Sequence, residues 1–384
     1  MSTPDNTSLY NRIVVKIGTS VLSGNTSNNS LDDATMSKLV KQITTAIEKY
    51  RSQILIVTSG AIAAGRAAIG SQVEEYSNKD IISRQVYAAV GQGELFHQYQ
   101  NLFDKHGIKV AQTLLTTNDL SHRQSYLNVR NTLLALLDIG IVPIINENDV
   151  VAVDEIGEVF GDNDRLSALV SNLIDADLLL ILTDTDGLYT ADPRTNPNAH
   201  LISDVEKFDD SILSAAGEHT NPWARGGMPT KIEAAQLVTT SGIPMIMCHG
   251  HQDDAILKAL TNQNIGTKFH PATEKLEARK RWLLNMMGDT DSGAIIIDNG
   301  AHTALKQHGV SLLPAGVVNV NGTFARGDIV YVLDPQQDKI ACGISNYNSD
   351  DIIRIKGIKS NQIQEILGYD YGQEVVHRNN LVLI

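Results

Sequence analysis

Short apolar runs recur along the first two-thirds of the chain, each ending in small or charged residues and followed by a helical pattern. Arg12 to Ile17, Gln53 to Thr58, Ile108 to Leu114, Ile139 to Ile145, Leu178 to Leu182 and Ile243 to Met247 show little alternation. That is the texture of strands buried on both faces. Between them, Leu31 to Tyr50, Tyr126 to Asp138, Arg165 to Ile174, Ile232 to Thr240 and Asp253 to Leu260 read as helices. A further long segment carries Ile82, Val86, Ala89, Gly93 and Phe96 at helical spacing, a stripe suited to a core or a subunit interface. Strands alternating with helices predict an α/β fold, a doubly wound and mainly parallel sheet whose ligands gather at the carboxyl ends of its strands.

The texture then changes. Pro271 to Arg281 is charged and poor in apolar residues, as a linker would be. Beyond it come short runs, Ala294 to Ile297, Gly316 to Val320, Asp328 to Leu333, Ile340 to Ile344 and Asp351 to Ile355, with turn signals at Asn321-Gly322 and Arg326-Gly327-Asp328. The expected organisation is therefore an α/β domain over residues 1–270, a linker over 271–281 and a small β-rich domain over 282–384.

Composition narrows the function. A chain of 384 residues can hold two or three domains. Its net charge of -13 argues against general nucleic-acid binding, which needs Lys and Arg to neutralise phosphates. Residues 281–384 alone hold eight Lys and Arg against eleven Asp and Glu, with no basic run. Cys248 and Cys342 have no Cys-x-x-Cys spacing, so neither a disulfide framework nor a zinc site is expected. The polar stretch Met1 to Tyr10 lacks a signal-peptide core, and no apolar run is long enough for a membrane helix. A cytoplasmic protein is expected.

The candidate chemistry sits at the strand ends. The first run closes as Lys16-Ile17-Gly18-Thr19-Ser20, where the lysine could contact a phosphate or snorkel to the surface. No Walker A loop is present there. Ser59-Gly60-Ala61 opens a helix whose first N–H groups could meet an anion, or whose small residues could serve packing alone. Asn146-Glu147-Asn148-Asp149 and then Gly161-Asp162-Asn163-Asp164 follow the fourth run. So many carboxylates and carboxamides form a solvated hairpin, a metal cage, or a pocket for a cationic group beside an anionic one. Thr183-Asp184 ends the next run, and Arg225-Gly226-Gly227-Met228-Pro229-Thr230-Lys231 offers backbone donors and a cation at a helix start.

Taken together, Val15 to Ser20, Ser59 to Ile62, Asn146 to Asp149, Gly161 to Asp164, Thr183-Asp184 with Gly187-Leu188-Tyr189, and Gly226 to Met228 with Thr230-Lys231 resemble the amino acid kinase family, in its order, over residues 12–270. Residues 282–384 resemble a PUA domain. Within the family the likeness is to members that phosphorylate the side-chain carboxylate of L-glutamate. It implies ATP as phosphoryl donor and Mg2+ held mainly by nucleotide oxygens and water, with no protein metal site. Lys16 and Lys231 would be catalytic, with Asp164 between them. Ser59, Asp149 and Asn163 would bind the amino acid. Lys16, Thr183, Asp184, Arg225, Gly226, Gly227, Met228, Pro229, Thr230 and Lys231 would surround the nucleotide. The same likeness implies the first step of proline biosynthesis, proline as feedback inhibitor, and a homo-oligomer. Arg225 and Pro229 depart from the small hydroxyl residues many relatives carry, and Ile156 to Phe160 departs in length. Two other readings compete: the same fold with aspartate, acetylglutamate, carbamate or a nucleoside monophosphate as acceptor, and an RNA-binding PUA protein.

Overall fold

A computed structural model of the chain describes residues 8–23, 31–70, 81–116, 119–120, 123–151, 163–215, 227–271 and 293–383. It divides into two compact units, one of residues 1–117 and 130–275, the other of residues 118–129 and 276–384.

The first unit is built on strands β1 (Arg12–Ile17), β2 (Gln53–Thr58), β3 (Val110–Leu115), β4 (Val142–Glu147), β5 (Leu178–Thr183), β6 (Leu188–Tyr189), β7 (Leu201–Ile202), β8 (Asp204–Val205), β9 (Met245–His249) and β10 (Thr267–Phe269). Eight of these form one sheet in the order β3-β4-β2-β1-β5-β9-β10-β8, while β6 and β7 pair separately. Every pairing in the large sheet is parallel except β9 with β10. A parallel interior strand is covered on both faces, which is why β1, β2 and β5 read as unbroken apolar runs. From β1 the chain steps to β2 on one side, and later to β5 on the other. Such a switch point leaves a crevice at the carboxyl ends of β1 and β5, and there Lys16 pairs in register with Val57 and Ile181.

Helix Asp33–Tyr50 starts where Asp32 Oδ1 accepts the Ala34 N–H at 3.0 Å and stops at Arg51, whose φ of 59° is left-handed. Expected and observed bounds differ most at β4. Ile139 is 71% exposed and Gly140 turns the chain with φ 77°, so the strand begins at Val142, not at Ile139.

The long helix Ile81–Asp104 corrects one alternative for its apolar stripe. Ile82, Val86, Ala89 and Gly93 are exposed, and the buried face carries Tyr87, Gly91, Leu95, Tyr99 and Phe103 instead. Of that stripe Phe96, half-buried, packs against the core, and the other four residues do not belong to it. The buried face meets helix Ala61–Ile69 at van der Waals range through two glycines. A Cβ on Gly65 would lie 1.8 Å from the Tyr87 carbonyl oxygen, and one on Gly91 would lie 1.8 Å from that of Ala61. Both obstacles are backbone, so neither can swing aside. Gly91→Ala is expected to cost about 3 kcal/mol or more by overpacking, read as a drop in the thermal midpoint of the circular dichroism signal.

The second unit holds strands β11 (Ala294–Ile297), β12 (Val317–Asn321), β13 (Ile329–Leu333), β14 (Lys339–Ile344) and β15 (Leu381–Leu383) in the order β12-β11-β13-β14-β15. Ile295, Ile297, Val330, Val332, Tyr347, Ile352 and Ile355 fill its core, and Leu127 packs with Ile329, Cys342 and Ile344. Gly322 (φ 77°) and Gly327 (φ 91°) occupy the expected turns. The run Asp351 to Ile355, expected as a strand, lies in helix Ser349–Ile355. The Asn348 side chain accepts the Asp351 N–H at 2.8 Å, two aspartates stand in the first turn and Arg354 in the last, so cap and dipole outweigh the β-branched composition.

Candidate active site

The strand ends of the first unit converge on a cavity of about 540 Å³. β1 delivers Lys16 with Gly18, Thr19 and Ser20; β2 delivers Ser59 and Gly60; β4 delivers Asn146, Glu147 and Asp149; β5 delivers Thr183 and Asp184. Asn163, Gly227 and Lys231 complete this wall.

At its base lies a three-residue charge cluster. Lys16 is fully buried, which removes the surface-lysine alternative, and its Nζ stands 2.8 Å from Asp164 Oδ1. Lys231, itself 7% exposed, places Nζ 3.1 Å from Asp164 Oδ2 and also donates to the Gly227 carbonyl at 3.4 Å. Thr230 Oγ1 donates to the same Asp164 oxygen at 2.9 Å. Asp164 is 0% exposed and is the first residue of helix Asp164–Leu173, where the helix dipole favours a carboxylate. One carboxylate between two ammonium groups leaves the cluster with a formal charge of about +1, so it holds the lysines in place and still attracts anions.

Helix ends reinforce this field. Helix Ala61–Ile69 begins at Gly60 (φ 107°) and helix Met228–Thr240 at Gly227 (φ 147°), neither with a side-chain cap. Ala61, Ile62 and Ala63 line the cavity, so the first turn of the former helix faces it. Uncapped N–H groups at such starts suit phosphate oxygens. Two lysines, glycine-lined walls and two uncapped helix starts fit the polyphosphate of a nucleotide. No cluster of metal-ligating side chains occurs among the described residues.

A second, polar wall adjoins it. Asn163 Nδ2 lies 3.0 Å from Ser59 Oγ and 2.8 Å from Asn146 Oδ1, and also reaches the Thr58 carbonyl. Asn146 in turn donates to Gln92 Oε1 at 2.6 Å. Asp149 lines the cavity beside this network and is partly exposed. At the end of β5, Thr183 Oγ1 donates to Asp184 Oδ1 at 3.1 Å.

Thus Lys16, Ser59, Asp149, Asn163, Thr183, Asp184, Gly227 and Lys231 are brought to one cavity, with Asp164 tied to its lysines and Thr230 tied to Asp164. Met228 and Pro229 form the first turn of helix Met228–Thr240 and are not among the lining residues. Arg225, Gly226, Gly161 and Asp162 lie outside the described residues. Sequence reasoning left Asn146, Arg66 and Arg84 without a role, yet all three reach the cavity. Arg66 carried a usable signal, since it falls one turn after Ile62 and Ala63 on the helix expected to open from Ser59. Arg84 carried none.

The model of the amino acid kinase family matches residues 11–249, and that of the PUA domain matches residues 293–367. The chain belongs to the amino acid kinase family. The glutamate 5-kinase of Dehalococcoides mccartyi is 48% identical over 380 residues, covering 99% of this chain and 100% of that protein. Those of Herpetosiphon aurantiacus (45% over 374 residues, 97% and 98% covered) and Vibrio vulnificus (46% over 372 residues, 97% and 96% covered) are similarly close. Within the family the chain groups with the glutamate 5-kinases, which it matches over nearly its full length. Among the described residues no helix is long and apolar enough to cross a membrane.

Proposed function

We propose that this enzyme transfers the γ-phosphoryl group of ATP to the side-chain carboxylate of L-glutamate, giving L-glutamyl 5-phosphate and ADP. The observation that carries this reading is the buried Lys16–Asp164–Lys231 cluster beside the wall of Asp149, Asn163 and Ser59. It puts an anion-attracting centre next to an anionic side chain able to hold an ammonium group, which is the charge pattern of an amino acid presenting a carboxylate to a phosphate.

The chemistry needs positioning and positive charge rather than a protein nucleophile. One P–O bond forms to a carboxylate oxygen while the bond from the γ-phosphorus to the bridging oxygen of ADP breaks. The attacking carboxylate is already ionised near neutral pH, so no proton has to be removed. Lys16 stands at the transferring phosphoryl, and Lys231 offsets charge that develops on the leaving oxygen. Asp164 fixes both lysines. Thr183, Asp184 and the segment from Arg225 to Lys231 surround the nucleotide. Mg2+, held by nucleotide oxygens and water, would neutralise phosphate charge. Ser59 and Asn163 orient the amino acid, and Asp149 binds its ammonium group.

The same reading gives the first step of proline biosynthesis in the cytoplasm, with proline as feedback inhibitor, and a homo-oligomer. Ile82 and Val86 of the stripe are exposed, as is Val90 one turn on, and such a row of large apolar side chains supports an interface between copies. The test is an acceptor panel. Purified protein with ATP and Mg2+ is expected to release ADP fastest with L-glutamate, and added proline to slow it. Faster turnover of aspartate, acetylglutamate, carbamate or a nucleoside monophosphate would displace glutamate as the substrate.

A further inference from the structure

Glutamate carries three charged groups, and the reading above, on which this inference rests, accounts for two of them. Its side-chain carboxylate meets the lysine cluster and its ammonium group meets Asp149. The second carboxylate, on the α-carbon, sits one bond from the carbon that bears the ammonium group, so it must lie close to Asp149. Glu147 also lines the cavity at that end. A substrate carboxylate at that end of the cavity calls for a basic partner of its own.

Four basic side chains line the cavity: Lys16, Lys231, Arg66 and Arg84. Both lysines are engaged with Asp164. Arg66 is different. It sits on helix Ala61–Ile69, on the face that carries Ile62 and Ala63 into the cavity, and its guanidinium carbon lies 5.5 Å from the centroid of the Tyr87 ring. Its Nε is buried and meets no hydrogen-bond acceptor among the described residues. A buried charged donor without an acceptor is destabilising unless a ligand supplies one. Tyr87 belongs to the helix whose close crossing at Gly65 and Gly91 fixes the ring relative to Arg66. The aromatic face therefore seats the cation beside the cavity, where its terminal nitrogens are the donors a ligand would meet.

We propose that Arg66 receives the α-carboxylate of the amino acid, and so makes the site specific for a substrate that bears a second carboxylate beside its amino group. The guanidinium fork matches a carboxylate in plane and spacing, which a lysine in the same place would not do. Asp149 and Arg66 then read the two α-substituents as an opposite-charge pair, and the remaining length of the substrate carries its other carboxylate to Lys16.

Two analogues separate these contacts. 4-Aminobutyrate is glutamate without the α-carboxylate, and glutarate is glutamate without the amino group. The quantity to read is the ratio of kcat/KM for glutamate to that for 4-aminobutyrate, in full-length wild type, Arg66→Gln, Arg66→Lys and Arg84→Gln. A site built to hydrogen-bond a charged group rejects the analogue lacking it, so the wild-type ratio is expected to be on the order of 10²–10³ or larger. Arg66→Gln is expected to shrink that ratio at least tenfold, Arg66→Lys to give an intermediate value, and Arg84→Gln to leave it within about twofold of wild type. A merely structural role for Arg66 would lower both substrates equally and leave the ratio unchanged, which overturns the assignment. So does a collapse of the ratio in the Arg84 variant alone. Arg66→Lys keeps the charge and most of the stem, so it preserves the test where the glutamine variant does not fold. A wild-type protein inert with glutamate overturns the functional reading and this assignment with it, whereas an unchanged ratio in an active Arg66 variant overturns the assignment alone.

Discussion

Asp164→Asn is expected to lower kcat by about 10²–10³-fold while leaving the KM for glutamate within a few-fold of wild type. The amide is isosteric and still accepts from Thr230, so shape and one hydrogen bond survive. What goes is the only negative charge in the cluster. Lys16 is fully buried and Lys231 nearly so, and water cannot screen their repulsion. Removing one partner of a buried ion pair costs about 3–5 kcal/mol, and here one carboxylate serves two ammonium groups. One lysine must therefore leave its place, and both are proposed to act on the phosphoryl group in flight. The same displacement should lower the melting temperature by roughly 10 °C. Initial rates with glutamate varied at saturating ATP, beside a thermal melt, separate the two effects. A variant with normal kcat and a lowered melting temperature would reduce Asp164 to a structural role.

Asp149→Asn should give the opposite kinetic pattern. Asp149 lines the cavity, is partly exposed and is not one of the buried Lys16–Asp164–Lys231 cluster. Replacing a charged partner of the substrate ammonium group by a neutral one forfeits a charge-assisted hydrogen bond, which raises the KM for glutamate about 10- to 100-fold and changes kcat little. Glutarate, which has no ammonium group, should be insensitive to the change. Identical defects in the Asp149 and Asp164 variants would contradict the division of the acidic stretch into a substrate-reading part and a lysine-holding part.

That acidic stretch marks where the sequence was readable and where it was not. Clusters at Lys16, Ser59, Asp149 and Thr183 could be located because a parallel sheet forces ligand-facing residues to the carboxyl ends of strands, and each strand was visible as an apolar run. The burial of Lys16 could not. A lysine at the end of a buried strand is tolerated inside only if a carboxylate meets it, and Asp164 comes from a helix far along the chain. The stripe at Ile82, Val86 and Ala89 shows a second limit. Helical spacing identifies a face but not which face is inside, and the buried one is marked by Gly91 and Tyr87, residues whose packing value lies in a helix crossing that hydropathy does not register. At Asp351 to Ile355 the β-branched run spells a strand, whereas the Asn348 cap just before it starts a helix.

The central claim is that a carboxylate oxygen of the amino acid becomes bonded to phosphorus. Glutamate labelled with 18O in its side-chain carboxylate, incubated with ATP, Mg2+ and hydroxylamine, tests it directly. Hydroxylamine attacks the acyl carbon of a glutamyl phosphate and expels phosphate with the bridging oxygen. The expected result is a hydroxamate formed one-for-one with ADP, and inorganic phosphate carrying one 18O. Phosphate released without label, in amounts matching the ADP, would show that the phosphoryl group went to water or another acceptor and would contradict the account.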